Sequence, residues 1–362
     1  MKKIEKTIQK IEPLDVRVME KTQDRLNNLT KPQGSLGKLE ELAKQICGIT
    51  GKENPQLRNK VIFTLASDHG VTDEAVSVYP KEVTAQMVYN FLSGGAGINV
   101  LANHVGAKVV VVDIGVCSDF KPDPRLIIKK INYGTKNMAK GPAMTRDEAV
   151  KSICTGIEIF ENEFSAEGGS AVGGNCGIDI VGTGEMGIGN TTVSSAITAC
   201  FTGKPIKDVT GRGTGLDAQG LKNKISVIKK ALSVNKPDPA DAIDVLSKVG
   251  GFEIGGLTGI ILAAASRKTP VIIDGFISGA AALIAFQLEP KVKNYMIASH
   301  CSVEKGHKVI LEYIGLEPLL DLDLRLGEGT GAALGIGLAE ASIKILTQMA
   351  TFRNAKVSER KK

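Results

Sequence analysis

The sequence predicts an α/β protein: a mainly parallel, Rossmann-like sheet flanked by helices. Two observations carry this. Five short apolar runs each end in a polar or Gly-rich turn, and segments with helical periodicity separate them. The 41 glycines cluster just after apolar runs, where they read as turns that bring the backbone close to a ligand.

Residues 1–50 read as helical, broken at Lys31–Gly37. After the break, Leu36, Leu39, Leu42, Ala43 and Ile46 recur at helical spacing. The apolar runs follow. Val61–Ala66 ends in Ser67-Asp68-His69-Gly70, and Lys108–Val112 ends in Asp113-Ile114-Gly115. Ile178–Val181 ends in Gly182-Thr183-Gly184-Glu185, Val271–Ile273 in Asp274-Gly275, and Tyr295–Ala298 in Ser299-His300. Helices are predicted over Lys81–Leu92, Thr191–Phe201, Ala240–Val249, Leu257–Ala265 and Gly331–Met349. In parallel sheets ligands lie outside the carboxyl ends of the strands. Asp68, His69, Asp113, Glu185, Asp274, Ser299 and His300 are therefore expected there. Residues 1–50 and 331–362 are expected to form a small helical domain from the two chain ends, with 51–330 as a large α/β domain carrying the site.

Length and composition suit such a fold. The chain has 362 residues, 43% hydrophobic and 23% charged, enough for a large core. A net charge of +6 is mild and suits anionic substrates such as phosphates. Aromatics at 4% and a basic run confined to the last residues argue against nucleic acid. Cys47, Cys117, Cys154, Cys176, Cys200 and Cys301 show no metal-ligand spacing and read as reduced thiols in a cytoplasmic protein. No apolar stretch reaches the roughly 20 residues that span a bilayer, and no signal region follows the N-terminus. The four histidines, 69, 104, 300 and 307, hold no metal-ligand spacing, so no metal is expected. His69 and His300 suit either a site lining or a structural hydrogen bond.

Three Gly-rich stretches are candidates for chemistry. Gly182–Gly187 matches G-x-G-x-x-G, but the acidic residue of a dinucleotide fingerprint is missing about 20 residues on. It reads as an anion or ribose site before a helix start, or as a plain tight turn. Gly211-Arg-Gly-Thr-Gly215, with Lys222 and Lys224 beyond it, reads as a monophosphate seat or as a surface loop. Glu328 sits between two glycines just before a helix. Read locally, it suits a helix cap better than a base.

The ordered series of motifs resembles the nicotinate-nucleotide–dimethylbenzimidazole phosphoribosyltransferase family. The matching stretches are Lys31-Pro-Gln-Gly-Ser-Leu-Gly-Lys-Leu-Glu40, Ser67-Asp-His-Gly-Val71, Tyr79-Pro-Lys-Glu-Val-Thr84, Val112-Asp-Ile-Gly-Val116 and Gly134-Thr-Lys-Asn-Met138. They continue with Gly182-Thr-Gly-Glu-Met-Gly-Ile-Gly-Asn-Thr-Thr192, Leu246-Ser-Lys-Val-Gly-Gly-Phe252, Asp274-Gly-Phe276, Ser299-His300 and Arg325-Leu-Gly-Glu-Gly-Thr-Gly331. The resemblance implies a homodimer that needs no cofactor. It implies transfer of 5-phosphoribose from nicotinate mononucleotide to 5,6-dimethylbenzimidazole, with release of nicotinate and α-ribazole 5′-phosphate. Glu328 matches the general base and Glu185 a second carboxylate near the ribose. Gly187, Gly211 and Gly213 match backbone contacts to phosphate, Lys224 a lysine near the nucleotide phosphate or Glu185, and Tyr79, Pro80, Met87, Met186 and Leu326 the base pocket. At Tyr79, Met87 and Met186 other members carry smaller or more polar residues, which suggests a pocket open to other flat bases. Two other enzyme readings are the same fold with a different acceptor, such as a phenol, and an NAD-dependent oxidoreductase. A regulatory nucleotide-binding module is the reading from another class.

Overall fold

The computed structural model describes residues 1–165 and 177–358. The strands are β1 (Lys60–Ser67), β2 (Lys108–Gly115), β3 (Leu126–Ile128), β4 (Ile180–Met186), β5 (Val271–Ile273) and β6 (Met296–Ala298). The helices in chain order begin with α1 (Lys2–Ile8), α2 (Val16–Asn28), α3 (Lys38–Thr50), α4 (Glu82–Ser93) and α5 (Gly97–Val105). Next come α6 (Arg146–Ser165), α7 (Asn190–Thr202), α8 (Ile206–Val209), α9 (Ala218–Asn235) and α10 (Ala242–Val249). The last are α11 (Phe252–Ser266), α12 (Phe276–Leu288), α13 (Lys305–Ile314), α14 (Thr330–Gln348) and α15 (Phe352–Ala355).

Every strand pair is parallel, in the order β3-β2-β1-β4-β5-β6. Strand order reverses between β1 and β4, so a crevice opens beyond their carboxyl ends. Side chains along the central strands alternate between two apolar cores. Val61, Phe63, Leu65, Val181 and Val271 face one core with α1, α6, α10, α11 and α12. Ile62, Ala66, Ile180 and Ile272 face the other with α2, α3, α4, α5 and α14. A sheet covered on both faces needs apolar residues at nearly every position, which explains the unbroken apolar runs.

The chain ends meet: Leu29 pairs with Thr351, and Arg25 Nε donates to the Leu346 carbonyl at 2.5 Å. Leu26, Ile46 and Leu346 share their core with sheet residues Ile62 and Ile272, while Ile4 of α1 is buried in the core across the sheet.

The structure extends the sequence reading in two places. The edge strand β3, Leu126–Ile128, is too short to show a pattern. The strand expected to stop at Val181 runs on to Met186, so Gly182 and Gly184 lie inside β4 and not in a turn. Their missing side chains leave room for other chain: a Cβ on Gly184 would sit 2.2 Å from the Glu328 carbonyl oxygen. The described cysteines Cys47, Cys117, Cys154, Cys200 and Cys301 are free, and Cys176 lies outside the described residues. Among the described residues no helix is long and apolar enough to cross a membrane.

Helices α6 and α11 cross with their backbones in contact. A Cβ on Gly156 would lie 1.9 Å from the Gly256 carbonyl oxygen, and one on Gly259 2.0 Å from that of Ile153. Neither backbone can move without opening the core. Gly156→Ala is therefore expected to destabilise the fold by about 3 kcal/mol, read as a lower urea midpoint with an unchanged slope.

Candidate active site

A cavity of about 380 Å³ opens beyond β4 and β5, within the usual size of a small-molecule site. Glu185, Glu304, Glu328 and His300 stand on its wall, together with backbone from Gly187 to Thr191 at the start of α7. Another cleft, of about 450 Å³, is lined by Lys136, Lys140, Pro142 and Lys248 among others but by no carboxylate or histidine. The strand-end chemistry therefore lies in the first cavity.

Glu328 is held by its backbone before its side chain is considered. Gly327, Glu328 and Gly329 take φ of +81°, +64° and +101° in succession. For a glutamate this region costs roughly 1–2 kcal/mol, so surrounding contacts must enforce it. Thr64 Oγ1 of β1 donates to the Glu328 carbonyl at 3.0 Å. Asp274, at the end of β5, accepts from the backbone N–H groups of Gly329, Gly331 and Ala332 at 3.1, 2.7 and 3.1 Å. That carboxylate caps α14 and fixes the turn that presents Glu328. Glu328 itself is 5% exposed, and its Oε2 accepts from the Ile98 N–H at the start of α5 at 3.2 Å. Burial raises its pKa, and the Ile98 N–H only partly opposes the rise.

Glu185, at the end of β4, lines the same cavity. It is buried, and the Asn190 side-chain amide donates to its Oε2. Burial, then the charges of Asp274 and Glu253, raise its pKa well above the ordinary range; Glu328 adds to the rise and Asn190 opposes it. Behind Gly187 lies a fully buried pair, His69 Nε2 and Glu253 Oε1, 2.9 Å apart. Burial alone would lower the His69 pKa, but the charge and hydrogen bond of Glu253, with Asp68, raise it overall. His300 is pushed down to about 4 by burial. His307 falls to about 3 for the same reason, with His300 beside it adding to the drop, so both rings are neutral at pH 7.

Tyr79, Met87, Met186, Gly187, Gly213 and Leu326 also line the cavity, with Tyr79 and Leu326 more than half exposed at its mouth. Of the residues matched to the base pocket and the phosphate contacts, Pro80, Gly211 and Lys224 do not line it, and of those expected at strand ends Asp68, His69, Asp274 and Ser299 stand behind its wall. Lys224 is fully buried one layer back, where its Nζ donates to Thr191 Oγ1 at 2.7 Å. Burial lowers it to about 8 against the opposing charge of Glu304. Asp113 also stays off the cavity wall, paired with Lys130 at 2.7 Å at the end of β2. Among the described residues no group of three or more His, Cys, Asp or Glu could hold a metal ion.

Sequence reasoning passed over Glu304, Glu253 and Asn190. Glu253 immediately follows the Leu246–Phe252 motif, and Asn190 lies inside the Gly182–Thr192 one, but neither spacing names a partner. Glu304 stands in no motif.

Burial raises Asp274 to about 7, above the roughly 3.9 of a free aspartate. An acid raised by folding contributes stability that is fully present below about pH 4 and is lost as pH climbs through about 7. Asp274→Asn removes this titration. The stability of the wild type relative to Asp274→Asn should therefore fall between pH 4 and pH 7, measured by urea unfolding at fixed pH steps.

Comparison with known proteins accords with this geometry. The model of the family described as Phosphoribosyltransferase matches residues 11–357. The chain is 56% identical to the nicotinate-nucleotide–dimethylbenzimidazole phosphoribosyltransferase of Desulforudis audaxviator, over 99% of each chain. It is 57% identical to the protein of the same name from Geobacter sulfurreducens, over 97% of each. The crystal structure of CobT from Thermus thermophilus superposes with a TM-score of 0.89 at 41% identity, covering 95% of this chain and 100% of that one. The strand-end carboxylates and glycine loops described above thus sit in a chain that belongs to the nicotinate-nucleotide–dimethylbenzimidazole phosphoribosyltransferase family.

Proposed function

We propose that this protein transfers 5-phosphoribose from nicotinate mononucleotide to 5,6-dimethylbenzimidazole or a related base, with inversion at the anomeric carbon. The products are nicotinate and α-ribazole 5′-phosphate, for assembly of the cobalamin nucleotide loop. The observation that carries the mechanism is Glu328, a buried carboxylate with a raised pKa, aimed into a cavity and locked in place by its own backbone.

One ring nitrogen of the incoming base attacks C1′ while Glu328 takes the proton from the opposite ring nitrogen. A neutral azole is a weak acid, so a desolvated carboxylate with raised basicity suits the task. The C1′–N bond to nicotinate breaks, and its electron pair neutralises the pyridinium, so no general acid is needed. Positive charge gathers on the ribose between the two groups. Glu185 lines the same cavity and, although its burial favours the protonated form, an adjacent cation pulls it toward the ionised one. The 5′-phosphate sits on the backbone N–H groups of the α7 start and the Gly213 loop, with Lys224 behind them as counter-charge. Tyr79, Met87, Met186 and Leu326 form the sleeve for the flat base. The same reading makes the working unit a cytoplasmic homodimer with a Rossmann-like sheet order.

Glu328→Gln should lower the rate of nicotinate release by about 10²–10⁴-fold, the usual worth of general base catalysis, while the urea midpoint stays within error. Near-normal activity would refute this role. Because the base works deprotonated, kcat/KM in the wild type should fall as pH drops through the raised pKa of Glu328, above the ordinary carboxylate range, and the Gln variant should lose that limb.

The soft mouth makes a second prediction. Methionine adapts to varied flat surfaces, so adenine and substituted benzimidazoles should also serve as acceptors. A panel comparing kcat/KM across bases checks this, and strict use of dimethylbenzimidazole alone would sink it.

A further inference from the structure

Glu304 is a third carboxylate on the cavity wall, and the transfer chemistry gives it no task. It stands just before α13 and is only 7% exposed. Its Oε1 accepts from the Gly213 backbone N–H at 2.9 Å. Its Oε2 is shut off from solvent and has no hydrogen-bond partner. The Gly211 loop wraps it so closely that a Cβ on Gly211 would lie 2.1 Å from Oε2. Lys224 Nζ lies behind the same loop, 3.1 Å from where a Gly213 Cβ would stand.

A backbone N–H beside a buried ammonium is a seat for an anion. Here the seat already holds one, supplied by the chain itself. A phosphate arriving at Gly213 needs the N–H that Glu304 occupies, and like charges at contact repel. We propose that Glu304 is an internal anion that fills the phosphate seat of the empty enzyme, and that the substrate's 5′-phosphate replaces it on the Gly213 N–H. This rests on reading the Gly213 loop as the phosphate seat.

The arrangement selects among phosphates. Displacing Glu304 breaks one good hydrogen bond and no second one, because Oε2 has no partner to lose. A nucleotide offsets that loss with ribose and base contacts elsewhere in the cavity. Inorganic phosphate has only the seat itself, so Glu304 holds it off. Gly211 is required in this scheme as the housing of Glu304.

The test uses inorganic phosphate as a competitive inhibitor against nicotinate mononucleotide. Glu304→Gln presents a neutral amide that neither grips the Gly213 N–H as firmly nor repels an anion. Its inhibition constant for phosphate should fall at least about ten-fold relative to the wild type. Glu304→Asp keeps the charge but draws it back from Gly213; it should show a smaller fall and serves if the Gln variant does not fold. An unchanged or larger constant in a folded variant overturns the proposal. The wild-type ratio of kcat/KM for nicotinate mononucleotide over nicotinate riboside tests the seat separately. A ratio near one removes the phosphate reading and this proposal together. A large ratio with equal phosphate inhibition in wild type and variants removes only the role of Glu304.

Discussion

The Glu328 carbonyl oxygen lies almost where a side chain on Gly184 would begin, and much of the site follows from that close approach. It lets the Gly327–Thr330 turn settle directly on the end of the central strand β4. Thr64 of the neighbouring strand and the Asp274 cap then hold the turn in a backbone conformation that a glutamate would not choose. The loop that carries Glu328 is thereby fixed to the sheet and to the start of α14 at once. Catalytic geometry needs this rigidity, because a small displacement of a proton acceptor weakens its effect steeply.

The electrostatics depend on the same compactness. Glu185, Glu253, Asp274 and Glu328 are all buried beyond the strand ends, and the charges of Asp274, Glu253 and Glu328 disfavour ionisation of Glu185. His69, whose pKa burial lowers but Glu253 and Asp68 raise overall, lies behind Gly187. The empty site is thus poorly disposed to hold its full negative charge. In the proposed transfer, positive charge moves from the pyridinium ring onto the ribose, and a cation gathering there relieves that tension.

Much of this was legible in the sequence, for physical reasons. Central strands buried on both faces must be continuously apolar, so β1, β2, β4 and β5 announced themselves, and their polar ends marked where ligands gather. The edge strand β3 was missed because three residues carry no periodicity. The end of β4 was misplaced because Gly182 and Gly184 look like turn glycines, while their actual work is to admit α14 and the Glu328 loop. That role depends on residues about 140 positions away, which local patterns do not encode. Glu304 was invisible for the same reason: its partner is a backbone N–H in a distant loop. Glu328 read locally as a cap of the helix that follows it, whereas the structure gives the capping of α14 to Asp274, and the Glu328 carboxylate lines the cavity while accepting from the start of α5.

The left-handed backbone of Glu328 sets foldability and chemistry against each other. A glycine at this position would relax the turn, and it would also take a carboxylate out of a crowded acidic cluster. Random change would therefore drift toward a sturdier chain that has lost its proposed proton acceptor. The glutamate persists only while selection acts on turnover itself, as expected where stability and activity trade off. A survey of this position across descendants of the chain would thus separate lineages still making the product from lineages that merely keep the fold.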